Sequence, residues 1–235
     1  MKKYLLLIIS IILLLAVAGF FYLNQPAKKE PVETNVIKNN NAISSVVEEK
    51  NISLSTEASA QNFLPPLDRA KERVTKKPFG IFITPQTSPV QPERFRGYHT
   101  GVDFEVFPEE IDKDVTVKAV CSGKVLVKRR ASGYGGVLVQ SCNLDNNDIT
   151  VLYGHLNLNS IVLKVGDKIK AGAEIGFLGK NKSTETDSER KHLHLSFHKG
   201  AEVDIRGYVQ QQDELVNWID PCLYVCGDMI RKTNK

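Results

Sequence analysis

The chain has 235 residues, a formal net charge of +4 at pH 7 and 42% hydrophobic residues. This composition is typical of globular proteins and excludes a fibrous or a wholly disordered chain. The basic excess is small, and its one dense run is Lys128–Arg130. A solvated face is the simpler interpretation of that run, and weak attraction to an anionic polymer is the alternative. Nothing in the pattern of basic and aromatic residues indicates nucleic-acid binding.

Residues 1–23 predict a membrane-crossing segment. Lys2 and Lys3 precede an almost entirely apolar run, Tyr4–Leu23. A helix of that length measures ~30 Å, which is the thickness of the hydrocarbon core of a bilayer. We favour an uncleaved single-pass transmembrane anchor over a signal peptide cleaved after Ala16–Ala18, because the apolar run continues past that site. Either interpretation predicts that the rest of the chain lies outside the cytoplasm, in the periplasm by our preferred interpretation.

Residues 24–62 are predicted to be a disordered linker. They are polar, and their few apolar residues follow neither the helical nor the strand period. A random coil of this length spans ~35 Å, which suits a domain that searches a layer near its membrane.

Residues 63–235 form the predicted folded domain, with a core at about 80–225. Short runs rich in Val and Ile, such as VTVKAV, KVLVK and GVLVQSC, alternate with turn signals. This spacing predicts an all-β domain of antiparallel hairpins. Tight turns are expected at Ser132–Gly136, Val165–Asp167 and Lys170–Gly172, and a short helix in DELVNWIDP that ends before Pro221.

Four cysteines are present, so three complete pairings are possible. In an exported protein we expect disulfides rather than free thiols. Counting outward from the Gly-rich turn places Cys121 opposite Cys142, and Cys222 then pairs with Cys226 in a short loop. The other two connectivities stay possible from sequence alone.

The candidate site residues include most of the five histidines, which are His99, His155, His192, His194 and His198. In a strand, His192 and His194 point to one face while the apolar residues between and after them point to the core. His198 would lie ~13 Å from His194 in the same strand, too far to share an ion, so we expect it at the surface.

His99 and Asp103 would also be ~13 Å apart in an extended strand. They can meet only if the chain bends, and Gly101 permits unusual backbone conformations. Two imidazoles and a carboxylate are a suitable catalytic zinc set that leaves the fourth position for water. Each motif is common by chance. The hypothesis of a zinc site depends on the occurrence of both histidine motifs together with Tyr153–Leu156 in one β domain that is expected to be exported.

Over residues 80–225 the sequence resembles the lysostaphin-type (LytM-type) zinc metalloendopeptidases, which cut peptidoglycan peptides. The matching motifs, in family order, are GYHTGVDF (97–104), VLYGHLN (151–157), VGDKIKAGAEIGFLG (165–179), HLHLS (192–196) and WIDPCLY (218–224).

The resemblance implies a compact antiparallel fold of the duplicated-hybrid-motif type. It implies one Zn²⁺ held by His99, Asp103 and His194, with His155 and His192 as catalytic residues that do not bind the metal. The implied substrates are the peptide stems and cross-links of peptidoglycan. We favour D-Ala to diaminopimelate cross-links over glycyl-glycine bonds because of the paired cysteines and the single anchor.

The chain departs from the family pattern beside the last motif. The segment KNKSTETDSERK between Gly179 and His192 is longer and more charged than usual, and Arg190 and Lys191 replace a small residue and a proline. We expect these changes to affect substrate preference more than chemistry. The alternative function is a non-catalytic wall-binding regulator of an amidase, and a biotinyl- or lipoyl-like carrier module is a third, less favoured possibility.

Overall fold

A computed structural model describes residues 63–227 of the chain. The predicted anchor at 1–23 and the predicted linker at 24–62 lie outside this range and stay predictions. No helix within residues 63–227 has the length and apolar character that crossing a membrane requires.

The prediction of an antiparallel all-β domain is confirmed. The described strands are β1 (Phe82–Ile83), β2 (Gly97–His99), β3 (Val102–Glu105), β4 (Thr116–Lys118), β5 (Gly123–Ala131), β6 (Gly135–Leu144), β7 (Asn147–Gly154), β8 (Lys168–Ile169), β9 (Glu174–Phe177), β10 (His192–Lys199), β11 (Tyr208–Val209) and β12 (Trp218–Ile219). The helical elements of the same range are short: α1 (Ala70–Arg73), α2 (Cys222–Val225) and 3₁₀ turns at Pro108–Glu110, Leu158–Ser160, Thr184–Thr186 and Gln212–Asn217.

The strands form three antiparallel sheets. The largest has seven strands in the order β12-β10-β7-β6-β5-β8, with β3 added beside β10. A second sheet has the order β1-β2-β11, and β4 pairs with β9 in the third. Strand β10 therefore has β3 and β7 as neighbours on its two sides, which brings three distant parts of the sequence together.

One face of β10 lies in the centre of the core. Leu193, Leu195 and Phe197 are completely buried, and they belong to one cluster with Val102 and Phe104 of β3. Burying each such side chain stabilises the fold by ~1.5–3 kcal/mol. Because strand residues alternate between faces, the remaining side chains of β10 point away from this core.

The Gly-rich segment forms the predicted hairpin turn, with β5 before it and β6 after it. Both predicted disulfides, Cys121–Cys142 and Cys222–Cys226, are confirmed. The detailed placement of Cys121 differs from the prediction, because β5 begins only at Gly123 and its pairing with β6 shifts at a bulge. The first disulfide thus joins β6 to the loop before β5 rather than two directly opposed strand residues.

The predicted C-terminal helix is a 3₁₀ turn that is shorter than expected. It ends at Asn217, because Trp218 and Ile219 pair with β10 as strand β12. Helix α2 begins immediately after Pro221.

Candidate metal centre

The first site motif is two short strands joined by a bend. His99 ends β2, Asp103 lies in β3, and the chain turns at Thr100 and Gly101 between them. The Thr100 hydroxyl donates a hydrogen bond to the carbonyl of Arg206 at 2.6 Å. This contact fixes the bend that brings His99 and Asp103 to one place.

Gly101 is needed for space rather than for an unusual φ. A Cβ at this position would lie 2.4 Å from the carbonyl oxygen of Leu195 and 2.8 Å from Nε2 of His194. The backbone conformation of Gly101 is one that other residues adopt, so the expectation that the bend requires glycine's conformational freedom is wrong. Only a residue without a side chain lets the bend pack against β10.

Strand register places the second site motif, His192–His194, opposite the first. His194 pairs with Asp103 of β3 on one side and with Gly154 of β7 on the other. His155 follows Gly154, so it also comes beside β10. A Cβ at Gly154 would lie 2.5 Å from the ring of Tyr134, so the absence of a side chain there lets that tyrosine approach the site.

Three predicted ligands form a tight triangle of potential donor atoms. His99 Nε2 lies 3.0 Å from His194 Nδ1 and 3.3 Å from Asp103 Oδ1. His194 Nδ1 and Asp103 Oδ1 are 3.2 Å apart. Ligands bound tetrahedrally to zinc at ~2.0–2.1 Å are ~3.3–3.4 Å apart, only slightly more than these distances. The three donor atoms are thus close enough together to hold one metal ion.

Contacts on the far side of each imidazole orient its metal-facing nitrogen. His99 Nδ1 donates a hydrogen bond to the carbonyl of Pro78 at 3.2 Å, which leaves the lone pair of Nε2 in the triangle. His194 faces the triangle with Nδ1, and its Nε2 lies 3.4 Å from the hydroxyl of Tyr134. Such outer contacts commonly fix the tautomer of a metal-binding histidine.

The electrostatics of the group favour cation binding. Burial alone would raise the pKa of Asp103, but the charges that His192 and His99 can carry outweigh burial and hold that pKa well below its usual range. Burial lowers the pKa of His194 to about 4, against a smaller opposing effect of Asp103. Burial also lowers the pKa of His155, to well below its usual range. Near neutral pH the site therefore offers the carboxylate of Asp103 and the neutral imidazoles of His155 and His194.

His155 and His192 form a second pair beside the triangle. Their ring centroids are 4.2 Å apart. His192 Nδ1 donates to the carbonyl of Arg190 at 2.8 Å, and its Nε2 lies 3.3 Å from Asp103 Oδ2, the oxygen outside the triangle. His155 Nδ1 is buried without a hydrogen-bond partner among the described residues. His155 also has a φ of 63°, a costly conformation that often occurs at functional sites.

Asp103, His155, His192 and His194 line a cleft of about 370 Å³, whereas His99 does not. Its walls include Tyr134, Tyr208 and Arg190, none of which the sequence predicted as site residues. Tyr134 lies in the segment that was interpreted only as a hairpin turn. Arg190 was noticed only as a departure from the family pattern. Tyr208 lies outside every motif, and no sequence signal indicated it.

His198 lies apart from this site. It is half-buried rather than fully exposed, and its ring packs edge-on against Trp218 with centroids 5.0 Å apart. Trp218 belongs to β12, which pairs with β10 at this point, so the neighbouring strand partly covers the histidine. Among the described residues that line the cleft, His198 is absent.

Comparison with known proteins gives sequence and structural relatives. The chain is 32% identical over 155 residues to Endolysin 2638A of Staphylococcus phage 2638A, a match that covers 60% of this chain and 30% of the endolysin. Thus the chain spans less than a third of that relative's length. Similar solved structures include the catalytic domain of lysostaphin from Staphylococcus simulans, which is 24% identical. That match covers 63% of this chain and 87% of the lysostaphin domain, with a TM-score of 0.43. LytU is 29% identical, with coverage of 65% of this chain and 83% of LytU and a TM-score of 0.44.

Residues 97–205 match the sequence profile of Peptidase family M23. This range begins two residues before His99 and includes Asp103, His155, His192 and His194. Residues 97–205 therefore match peptidase family M23, and the resemblance to lysostaphin-type peptidases that the motifs predicted is confirmed.

Proposed function

We propose that this chain is a zinc metalloendopeptidase that hydrolyses the peptide cross-links of peptidoglycan in the cell envelope. The observation that carries the proposal is the buried triangle of His99, Asp103 and His194 beside a cleft that His155 and His192 also line. The match of residues 97–205 to Peptidase family M23 supports the same activity.

The donor set fits zinc. Two imidazole nitrogens and one carboxylate oxygen are typical of catalytic zinc sites, which keep one position open. When bound, zinc supplies Lewis acidity to the scissile carbonyl and activates a water molecule. His99, Asp103 and His194 would hold one ion per chain, and the cleft beside them gives a peptide access to it.

His155 and His192 are the proposed proton-handling groups. The hydrogen bond from His192 Nδ1 to the carbonyl of Arg190 fixes the tautomer, so that Nε2, which lies 3.3 Å from Asp103 Oδ2, is the nitrogen that accepts a proton. The depressed pKa of His155 keeps its imidazole neutral, and because its ring lines the cleft, the imidazole can hydrogen-bond the substrate or the developing oxyanion. Both histidines line the cleft, so each can reach a bound peptide.

For the scissile bond, we propose the D-Ala to diaminopimelate cross-link in preference to glycyl-glycine. Two disulfides support an exported, oxidising location for the domain. Together with the apolar segment at residues 4–23, they support a single-pass protein of the cytoplasmic membrane with its catalytic domain on the periplasmic side. Resistance of the protein to extraction by alkaline carbonate tests the anchor, and release of a mature chain that begins near residue 19 would indicate a cleaved signal peptide.

The activity is tested by digestion of purified peptidoglycan with the zinc-loaded chain, followed by mass spectrometry of the muropeptides. We expect cross-linked dimers to become monomers, and the His194→Ala variant to leave them intact. Cleavage of pentaglycine with survival of the dimers would contradict the proposed bond. Binding to the wall without any cleavage by the zinc-loaded chain would instead support the regulator of an amidase.

A further inference from the structure

Arg190 connects the triangle to a second carboxylate. It precedes β10, and its side chain is only 13% exposed. Its Nη2 donates to Oδ2 of Asp103 at 2.8 Å. Its Nε lies 3.0 Å from each carboxylate oxygen of Glu105, and Nη2 also donates to Oε1 of that residue. A single guanidinium therefore spans two carboxylates that lie two residues apart on β3.

The two oxygens of Asp103 have different surroundings. Oδ1 belongs to the triangle, at 3.3 Å from His99 Nε2 and 3.2 Å from His194 Nδ1. Oδ2 faces the guanidinium of Arg190 and, at 3.3 Å, Nε2 of His192. A carboxylate held by a charged donor on one oxygen cannot rotate freely, so the orientation of the other oxygen is fixed as well.

We propose that Arg190 is a positioning residue that makes Asp103 a one-oxygen metal ligand. It engages Oδ2, so that only Oδ1 is directed at the ion and one coordination position stays open for the reaction. This inference rests on the proposed metal site. It assigns a role to a residue that replaces the small residue common at this position of the family motif.

Neighbouring contacts hold Arg190 in place. Glu105 neutralises its charge, so the pair contributes little net field at the ion. Lys191, the next residue, is buried and donates from Nζ to the carbonyls of Glu110 at 3.0 Å and Ile111 at 3.3 Å. The backbone where Arg190 enters β10 is thus anchored. An ammonium group could not form the same fork, because it lacks the planar array of donors of a guanidinium.

Single substitutions at this site would mix two opposing effects. Loss of Arg190 frees the carboxylate of Asp103, which weakens metal binding, but it also leaves the negative charge of Glu105 paired only with the exposed Lys76, so that Glu105 attracts a cation more strongly. The charge-neutral double variant Arg190→Met/Glu105→Met separates these effects, because it removes the donors and leaves the net charge unchanged. Apolar side chains of similar volume often replace a buried ion pair with little loss of stability.

The matched control is a second buried fork in the same domain. Arg73 donates to Glu110 through Nη1 at 2.6 Å and through Nη2 at 2.8 Å. Arg73→Met/Glu110→Met also removes a buried Arg–Glu pair, but neither residue contacts a ligand of the proposed ion. Any general effect of losing such a pair should therefore appear equally in both double variants.

The experiment measures Zn²⁺ affinity of the full chain by competition with a chelator, with folding checked by circular dichroism and thermal unfolding. We expect Arg190→Met/Glu105→Met to bind Zn²⁺ ~10- to 100-fold more weakly than the wild type. The control variant should keep wild-type affinity even if its melting temperature falls. The visible absorption of Co²⁺-loaded protein should change only in the first variant, because Oδ2 becomes free to bind the metal.

Wild-type affinity and an unchanged Co²⁺ spectrum in the folded Arg190→Met/Glu105→Met variant would overturn the inference. If that variant does not fold, Arg190→Gln/Glu105→Gln, which keeps polar side chains, is judged by the same criteria. A wild-type chain that binds no Zn²⁺ would refute the proposed function itself, which is a different result from a variant that binds as tightly as the wild type.

Discussion

His192 and His194 provide the sharpest test of the proposed division of roles. They lie two residues apart on one face of β10 and are both almost fully buried. Only His194 has a ring nitrogen within 3.2 Å of Asp103 Oδ1 and 3.0 Å of His99 Nε2. His192 instead packs against the ring of His155. Replacing each with Ala therefore removes the same chemical group from two different environments.

The two variants should lose activity for different reasons. His194→Ala removes one of the three proposed ligands, so it should retain little metal after dialysis. His192→Ala leaves the triangle intact and should keep about one zinc per chain, as expected for a three-ligand site. Its rate should fall by ~10²- to 10⁴-fold, the usual contribution of a general acid or base, which corresponds to ~3–5 kcal/mol of transition-state stabilisation.

The assay combines metal content, measured by plasma emission spectrometry after dialysis, with the rate of muropeptide digestion on the same samples. Circular dichroism confirms that both variants are folded. Equal loss of zinc from the two variants would mean that both histidines bind the metal. Wild-type activity of His192→Ala would show that this histidine handles no proton in the rate-limiting step. Either result would require a new assignment of the site.

Three further predictions concern stability and packing. The metal-free protein should lose on the order of 3 kcal/mol of unfolding free energy between pH 6.5 and pH 4, because the pKa of His194 is about 4 in the folded chain and higher in the unfolded chain. Chemical denaturation at several pH values measures this loss, and the unfolding free energy of His194→Ala should fall less steeply with decreasing pH than that of the wild type. Equal dependence on pH in the two proteins would contradict the assignment. Replacing Cys121 and Cys142 with Ala should cost ~3 kcal/mol by the loop-entropy estimate, and loss of the shorter Cys222–Cys226 loop should cost less, as measured by denaturant titration. Gly101→Ala should weaken both zinc binding and stability because its Cβ meets the backbone of β10, whereas Gly227→Ala, where nothing lies within 4 Å, should behave as the wild type.

The parts of the site that follow from strand periodicity could be predicted from sequence. Alternation alone places Leu193 and Leu195 in the core and His192 and His194 on the opposite face. The bend between His99 and Asp103 could be inferred because an extended chain would hold these residues too far apart. Both inferences use only the covalent geometry of a few consecutive residues.

The parts that depend on contacts between strands could not be predicted in this way. Gly101 is required by the proximity of Leu195, whose sequence position says nothing about that contact. Tyr134 enters the site because its ring packs beside Gly154 of a neighbouring strand. The place of Cys121 depends on a bulge in the β5–β6 pairing, which shifts the count of residues from the turn. Register, bulges and long-range ion pairs are determined by the packed sheet as a whole.

The pairing of β10 with both β3 and β7 links metal binding to correct assembly of the sheet. A slip of one residue in β10 would turn His192 and His194 into the core and expose Leu193 and Leu195. The ligand triangle can exist only when His194 is aligned with Asp103, so an ion that binds there stabilises that alignment over every slipped one. Under this arrangement the ion would discriminate between alternative strand alignments of the chain, and a metal-free domain that misaligns during folding would realign when metal becomes available.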